Sequence, residues 1–238
     1  MRRSGSIFVA LFCLPCLAAA QQIPQAPTVQ KLNLPTVNAK NLPVIAKLDY
    51  SKESVVFDKV DTRFDYNADG TGDKTVEITA HVQSDNGVHE TGLIDLPYAS
   101  GNEQLEFVYV KVQKPDGTVV ETPVSDAQDM PAQVTRIAPL YSDLREVQLP
   151  VKSLSAGDTL DYKVHFTLKR AQAPNEFWNA ISFVNANVVL GQTIELSFPK
   201  GKYVLVLSPK HKPAITEENG RTVYLWTGQQ LEPTAGRK

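Results

Sequence analysis

The chain has 238 residues, of which 42% are hydrophobic and 21% are charged, and its formal net charge is −2. A chain of this length can bury one large core or two small ones. Beyond Arg2 and Arg3 it contains no block of basic residues. The charge distribution therefore argues against a nucleic-acid binder and against a polybasic membrane-surface protein.

The first twenty residues have the layout of a secretory signal peptide. Arg2 and Arg3 form a basic start, residues 7–17 are apolar apart from Pro15, and Ala18-Ala19-Ala20 supplies small residues for a signal peptidase. The pattern predicts cleavage after Ala20, and the alternative is a buried N-terminal helix. The apolar run is much shorter than the ~20 residues that span a bilayer. We therefore expect a periplasmic or secreted protein without stable membrane insertion after cleavage.

Both cysteines of the chain, Cys13 and Cys16, lie within the predicted signal peptide. Neither follows the small residues that a lipoprotein signal requires. The mature chain would then contain no thiol. This excludes disulfides, thiolate zinc sites and cysteine nucleophiles from its chemistry.

Residues 21–46 form a proline-rich lead that contains Pro24, Pro27, Pro35 and Pro43. Four prolines over this span prevent a helix or a central strand. We interpret the lead as an extended tether, or as a stretch that lies along the surface of the body. Residues 229–238 are polar and unpatterned, and we interpret them as a C-terminal tail or a linker toward a further domain.

Short strands are predicted over residues 47–228, because apolar and polar residues alternate there. In the clearest example the apolar positions are Val76, Ile78, Ala80 and Val82. Turn-forming stretches separate the strands at residues 67–72, 114–117, 155–158 and 219–220. The pattern predicts an all-β fold, an antiparallel β-sandwich that could be large and bent, behind the proline-rich lead.

Three local expectations are more specific. Residues 105–112 are predicted to form a strand buried on both faces, and residues 203–207 a further strand. Residues 125–129 are predicted to form one helical turn with Ser125 as its cap. No amphipathic helix longer than two turns is predicted.

A series of short motifs follows in a fixed order along the chain. They are Asn67-Ala68-Asp69-Gly70, Leu96-Pro97-Tyr98, residues 110–117, residues 141–145, residues 157–162, Glu176-Phe177-Trp178 and Tyr224-Leu225-Trp226. In this order they resemble the bacterial family catalogued as domain of unknown function 3857. The resemblance covers roughly residues 50–228.

The resemblance implies an exported, all-β domain that usually precedes a transglutaminase-like domain with a Cys-His-Asp site. The mature chain has no cysteine, so the thiol chemistry of that neighbour cannot be assigned to any residue here. The expected partners are a downstream transglutaminase-like domain or another envelope protein. On its own the chain is not expected to be an enzyme.

Residues 65–70 look like the front of a calcium loop, with Asp65, Asn67 and Asp69 at alternate positions and Gly70 at the sixth. A complete loop needs an acidic residue at position 12, where this chain has Val76. The sequence therefore favours a plain hairpin turn over a calcium site.

The histidines lack the spacing of metal ligands, and solvated side chains are favoured over a metal site. They are His81, His89, His165 and His211. No serine lies in a G-x-S-x-G nucleophile motif. No catalytic, cofactor-binding or metal-binding residue, and no cofactor, is therefore predicted.

Four aromatic residues lie near predicted strand ends or loops, namely Tyr141, Phe177, Trp178 and Trp226. They could plug the ends of the sandwich, or they could stack on sugar rings or dock a peptide; plugging is favoured. The leading functional hypothesis is a non-catalytic exported module that supports a catalytic domain or recognises a protein partner. The alternatives are a carbohydrate-binding module and a hydrolase whose site is scattered along the sequence.

Overall fold

The computed structural model describes residues 49–140 and 142–232. The predicted signal peptide, the proline-rich lead, Tyr141 and the last six residues lie outside this part, and so do the expectations attached to them.

Strands account for most of the regular structure. They are β1 Val55–Tyr66, β2 Gly72–Val82, β3 Leu93–Ala99, β4 Glu103–Gln113, β5 Val119–Glu121, β6 Gln128–Pro131, β7 Leu144–Pro150, β8 Thr159–Leu168, β9 Val188–Pro199, β10 Ala214–Glu218 and β11 Arg221–Gln230. The helices are α1 Asp85–Thr91 and α2 Gln133–Ile137. In the described part no helix is long and apolar enough to cross a membrane.

The strands form two sheets. The large sheet has the order β10-β11-β9-β1-β2-β8-β4-β5, and the small sheet has the order β3-β7-β6. Neighbouring strands are antiparallel, except that β1 and β9 run parallel, with Val56 opposite Val188. The predicted all-β, two-sheet architecture is confirmed, with this one parallel pair as an addition.

The small sheet covers one half of the inner face of the large sheet. Val110 and Val112 of β4 and Leu160 and Val164 of β8 are buried there against Leu149 of β7. The alternation seen in the sequence explains this layer, because every second residue of a strand faces the same side. This core is the β-sandwich proper.

Within residues 49–140 and 142–232, no second sheet covers the other half of the inner face. Side chains of β1, β9 and β11, including Phe64, Phe198 and Trp226, are buried beneath two stretches without strands. One stretch is residues 169–187, which contributes Phe177 and Phe183; the other is residues 200–213. We call these stretches the loop cover.

Strand β4 is buried on one face, and the expectation of burial on both faces is wrong. Its register shifts between Phe107 and Tyr109, so that one extra residue is inserted opposite β8. Phe107 and Val110 therefore face the same core, while Val108 is 52% exposed. A bulge of this kind switches the parity of a strand, and alternation alone does not locate it.

Two turns of the sandwich are tied together by an ion pair. The Lys114 Nζ donates to the Asp158 carboxylate at 2.7 Å, and the Asp158 side chain is only 2% exposed. The same carboxylate accepts from the Ser155 backbone N–H at 2.7 Å. This links the turn after β4 to the turn before β8.

The helical turn predicted for residues 125–129 is shorter and lies earlier. A 3-10 turn occupies Val124–Asp126, and Pro123 rather than Ser125 stands at its cap. The chain then returns to an extended conformation, because Gln128–Pro131 pairs with β7.

Candidate functional site

A cleft opens on the inner face of the large sheet, at the seam between the small sheet and the loop cover. Lys74 of β2 is paired with Phe64 of β1 and with Phe166 of β8. Residues paired in this way point to the same face of a sheet. Lys74 thus lies in a row of apolar side chains, where the two covers of the sheet meet. We call this the seam cleft.

The next row across the sheet forms the rest of the floor. Gly72 lies between Tyr66 and Leu168, and Leu168 is paired with Glu103 of β4. Because Gly72 has no side chain, a gap remains between its neighbours. A Cβ at this position would lie 2.3 Å from the Asp65 backbone oxygen, so only glycine fits.

The charged group of Lys74 lies in a largely apolar environment. Its Nζ lies 4.0 Å from the centre of the Phe166 ring. Burial lowers the pKa of Lys74, and the nearby Glu103 carboxylate opposes that shift. Within residues 49–140 and 142–232, no carboxylate lies within ion-pair distance of Lys74, and the Glu103 carboxylate accepts instead from the Ala99 N–H at 2.9 Å.

The loop cover forms one wall of the cleft, and Trp178 stands on it. Phe177 stacks on Tyr66, with ring centres 4.1 Å apart and planes 2° from parallel. The Lys202 Nζ donates to the backbone oxygens of Asn175, at 2.6 Å, and of Ala68, at 3.0 Å. These contacts fix the chain beside Trp178, whose own side chain is 74% exposed.

The cleft is small and has a mixed lining. Its volume is about 120 Å³, below the 300–1,000 Å³ that is typical of pockets for drug-sized ligands. Polar side chains complete its rim, namely Gln172, Glu176 and Asn179. The space fits a single ring or side chain.

A second feature is a row of exposed apolar side chains in the loop cover. Tyr203 is 85% exposed, Leu205 81% and Leu207 90%. The intervening Val204 and Val206 pack into the core beneath. We call the three outward side chains the exposed row; contiguous apolar surface of this kind is unusual unless something binds there.

The strand predicted for residues 203–207 is not formed, although its in-and-out alternation is. The backbone of residues 203–207 has no hydrogen-bond partner among the described residues. The nearest backbone hydrogen bond along the chain is donated by the Lys202 N–H to the Pro199 backbone oxygen at 3.2 Å. A strand needs a neighbour with which to pair. Residues 203–207 are therefore strand-like in shape but remain without a ladder.

The residues of the predicted calcium-like loop are engaged in local contacts. Asp69 accepts from the backbone N–H of Thr71 at 3.0 Å and from its hydroxyl at 2.7 Å. The Asp65 carboxylate contacts the Arg221 guanidinium. Asn67 donates to the Thr71 hydroxyl at 3.0 Å. These contacts are those of a hairpin turn.

The histidines lie apart from one another. The His165 Nε2 is 2.9 Å from the Asp73 carboxylate, and the His81 Nδ1 is 3.4 Å from the Thr159 hydroxyl. His211 meets the Phe183 ring edge-on. In the described ranges no three His, Cys, Asp or Glu side chains come close enough to hold a metal ion.

The candidate aromatic residues separate into two groups. Trp226 is 9% exposed in the middle of β11, and its Nε1 donates to the Ser208 hydroxyl at 3.1 Å. Phe177 is half-buried and also packs into the core. Trp226 and Phe177 therefore fill the core, which is the role that the sequence favoured for these aromatic residues, whereas Trp178 faces solvent.

Sequence reasoning missed Lys74 and Glu103. The signal was present, since each residue occupies a position that the alternation assigns to the apolar face. Lys74 has the parity of Val76, and Glu103 has that of Leu105. A charged residue on the inward parity of a strand should be examined as a possible site.

Solved structures with a similar fold belong to larger proteins. A protein from Parabacteroides distasonis named a "putative protease" is similar with a TM-score of 0.65 and 20% identity, over 78% of this chain and 37% of that one. The M1 zinc metallopeptidase of Deinococcus radiodurans has a TM-score of 0.41 and 11% identity, over 78% of this chain and 44% of that one. The first likeness shows a shared fold and nothing about function, and the second is too weak to show either. The chain spans less than half the length of either protein.

Sequence comparison gives the family directly. No curated protein matches the chain significantly. The family model described as a domain of unknown function with a solved structure, DUF3857, matches residues 68–235, which is most of the chain. These residues include both covers of the large sheet and all of the residues that line the seam cleft except Phe64 and Tyr66. The chain therefore belongs to the DUF3857 family.

Proposed function

We propose that this protein is a non-catalytic exported module that binds a partner protein domain through the exposed row. The observation that carries the proposal is the exposure of Tyr203, Leu205 and Leu207, each above 80%. A transglutaminase-like domain is the first candidate partner, as the family resemblance implies.

The physical argument rests on what the row would gain from a partner. Burying a large apolar side chain contributes about 1.5–3 kcal/mol, so three of them would offset a substantial part of the roughly 4–15 kcal/mol that association costs. The backbone of residues 203–207, which has no partner in the described ranges, could in addition pair with a strand of that domain. Apolar burial and strand pairing together favour a protein as the partner.

A larger protein with the same fold supports the idea of an accessory role. The Parabacteroides distasonis protein contains this fold in 37% of its length, and its name is that of a protease. In our proposal the catalytic groups belong to the partner domain, and the DUF3857 domain holds or orients it.

Binding to a purified transglutaminase-like domain from the same genome tests the proposal. Titration calorimetry with the mature chain should give a saturable signal, and Leu205→Asp should weaken it at least about tenfold, a change of about 1.4 kcal/mol. Val119→Asp is the matched control, since Val119 is 53% exposed on β5, at the opposite edge of the large sheet from β10.

Three results would count against the proposal. The first is no binding, and the second is equal weakening by Leu205→Asp and Val119→Asp. The third is a concentration-dependent dimer that Leu205→Asp abolishes, which would make a second copy of this chain the occupant of the row.

Export is the second part of the proposal and has its own test. Fractionation of cells that express the full chain should place it in the periplasm or the medium. N-terminal sequencing should then begin at Gln21, directly after the predicted cleavage site. Recovery of an intact Met1 start in the cytoplasm would overturn this part.

A further inference from the structure

We infer that the seam cleft binds one neutral sugar ring, the end unit of a saccharide, stacked on Trp178. This site is separate from the exposed row, and it would add glycan recognition to the proposed protein-binding role.

The floor and the rim offer both kinds of hydrogen-bonding group. The Lys74 ammonium can only donate, and the Glu103 carboxylate can only accept. The amides of Gln172 and Asn179 can do both, and within the described ranges neither side chain is engaged in a hydrogen bond. Sugar hydroxyls donate and accept, so a polyhydroxy ligand can satisfy all these groups at once.

The charges around the cleft discriminate against ions of either sign. An anionic ligand would meet two carboxylates, those of Glu103 and Glu176. A cationic ligand would meet Lys74 at the floor, which is already short of solvation. Repulsion between like charges is strong where water is excluded. A neutral ligand avoids both penalties, which is why we assign a neutral sugar.

The position of Trp178 supplies the apolar contact. A sugar ring has an apolar face of C–H groups, and a flat indole is the side chain that best covers it. Trp178 is exposed, yet its neighbour Phe177 is held by Tyr66, so the indole stands on a fixed base. The backbone beside Trp178 would therefore lose little conformational entropy on binding. The volume of about 120 Å³ suits one ring, with the remainder of a chain in solvent.

The first experiment uses the mature full chain and a panel of neutral sugars. The panel is glucose, galactose, mannose, N-acetylglucosamine, cellobiose and chitobiose, each titrated by calorimetry. The chain has two tryptophans, of which Trp226 is buried and Trp178 exposed. A bound sugar should therefore also protect the exposed tryptophan fluorescence from acrylamide. We expect saturable binding of at least one panel member with that protection.

Variants then locate the site. Trp178→Ala should weaken binding at least about tenfold and remove the fluorescence change. Lys74→Met keeps the length of the side chain but removes its donor, and it should weaken binding several-fold. Ile215→Ala is the control, because Ile215 is 53% exposed on β10, outside the cleft and outside the exposed row, and the affinity of this variant for the sugar should be unchanged.

Several outcomes would overturn the inference. They are no saturable signal with any sugar of the panel, binding that Trp178→Ala and Lys74→Met leave intact, and tighter binding of glucuronate or glucosamine than of the neutral sugars. Circular dichroism of each variant separates lost binding from lost folding. Loss of sugar binding leaves the exposed row untested, and loss of partner binding leaves the cleft untested, so the two proposals fail separately.

Discussion

The ammonium group of Lys74 lies 4.0 Å from the centre of the Phe166 ring, on the inner face of the large sheet, where most side chains are apolar. A cation over an aromatic face is attracted by the ring, which compensates part of the cost of leaving water. Burial nonetheless lowers the pKa of Lys74, and the nearby Glu103 carboxylate opposes that shift. The protein thus holds a poorly solvated charge at the seam between its two covers.

Replacing this lysine should not destabilise the fold. We expect Lys74→Met to be neutral or to stabilise the protein by up to about 1 kcal/mol at pH 7, since a buried charge is removed. Between the lowered pKa of Lys74 in the folded protein and its ordinary value of 10.5, only the unfolded wild-type chain still binds the lysine proton. The wild-type protein therefore gains stability as the pH rises through this range, and the stability advantage of Lys74→Met should shrink. Urea unfolding of both proteins at pH 7 and pH 10 measures this. A loss of several kcal/mol at pH 7 would contradict it.

The Lys114–Asp158 pair should be far more costly to break. Asp158→Ala leaves a cation beside a nearly fully buried position and removes the acceptor of the Ser155 N–H, so we expect a loss of about 3 kcal/mol. Asp126→Ala is the control, because its pair with Lys152 is exposed and should contribute less than about 1 kcal/mol. Similar losses in both variants, measured by denaturant unfolding, would show that burial is not the cause.

Two glycines with the same backbone conformation should respond differently to alanine. Gly70 has φ +86° and Gly117 has φ +89°, so each substitution incurs about 1–2 kcal/mol of strain. At Gly70 the new Cβ would also lie 2.2 Å from the Glu176 oxygen, whereas at Gly117 it meets nothing within 4 Å. We expect Gly70→Ala to cost at least about 3 kcal/mol and to displace Trp178. Equal melting temperatures for the two variants would refute this.

Tyr162 should make the protein sensitive to alkali. Burial raises the pKa of Tyr162 to about 12, from an ordinary value of 10.0. The folded state therefore favours the neutral phenol, and its contribution is complete below pH 10 and is lost as the pH rises through 12. The full loss is about 2–3 kcal/mol. Tyr162→Phe should flatten this part of the stability profile, and an unchanged profile would contradict the assignment.

The alternation in residues 203–207 predicts opposite effects at neighbouring positions. Leu205→Ser should change the free energy of unfolding by less than about 0.5 kcal/mol, because the side chain is 81% exposed. Val206→Ser should cost about 2 kcal/mol, since Val206 packs against the core beneath. Thermal melts of the two variants compare them directly. A larger loss at Leu205 would mean that the exposed row is covered in solution.

Much of the fold is predictable from the sequence, because the alternation of apolar and polar residues shows which face of each strand is buried. The alternation at Val76, Ile78, Ala80 and Val82 predicted β2, and the glycine-containing turn at residues 67–72 marked its start. What alternation cannot state is which element covers a face. Phe64 and Phe166 look alike in the sequence, yet one lies under loops and the other under the small sheet.

The seam cleft was not predictable for the same reason. The alternation places Lys74 and Glu103 at positions that face the inner side of the large sheet. The sequence alone cannot show that both positions lie at the boundary between the small sheet and the loop cover. Trp178 could be named as a candidate, but its exposure depends on Phe177 turning inward to stack on Tyr66. These features depend on packing between residues far apart in the sequence, and local sequence patterns do not predict such packing.

The parallel pairing of β1 with β9 sets the order in which the molecule can form. Val56, near the start of β1, is paired with Val188, so the first strand of the sheet needs a partner that lies far later in the chain. Until that stretch exists, the hairpin of β1 and β2 has an open edge and cannot close the centre of the large sheet. Contacts this distant along the chain slow folding. The large sheet can therefore be completed only after β9 has been synthesised.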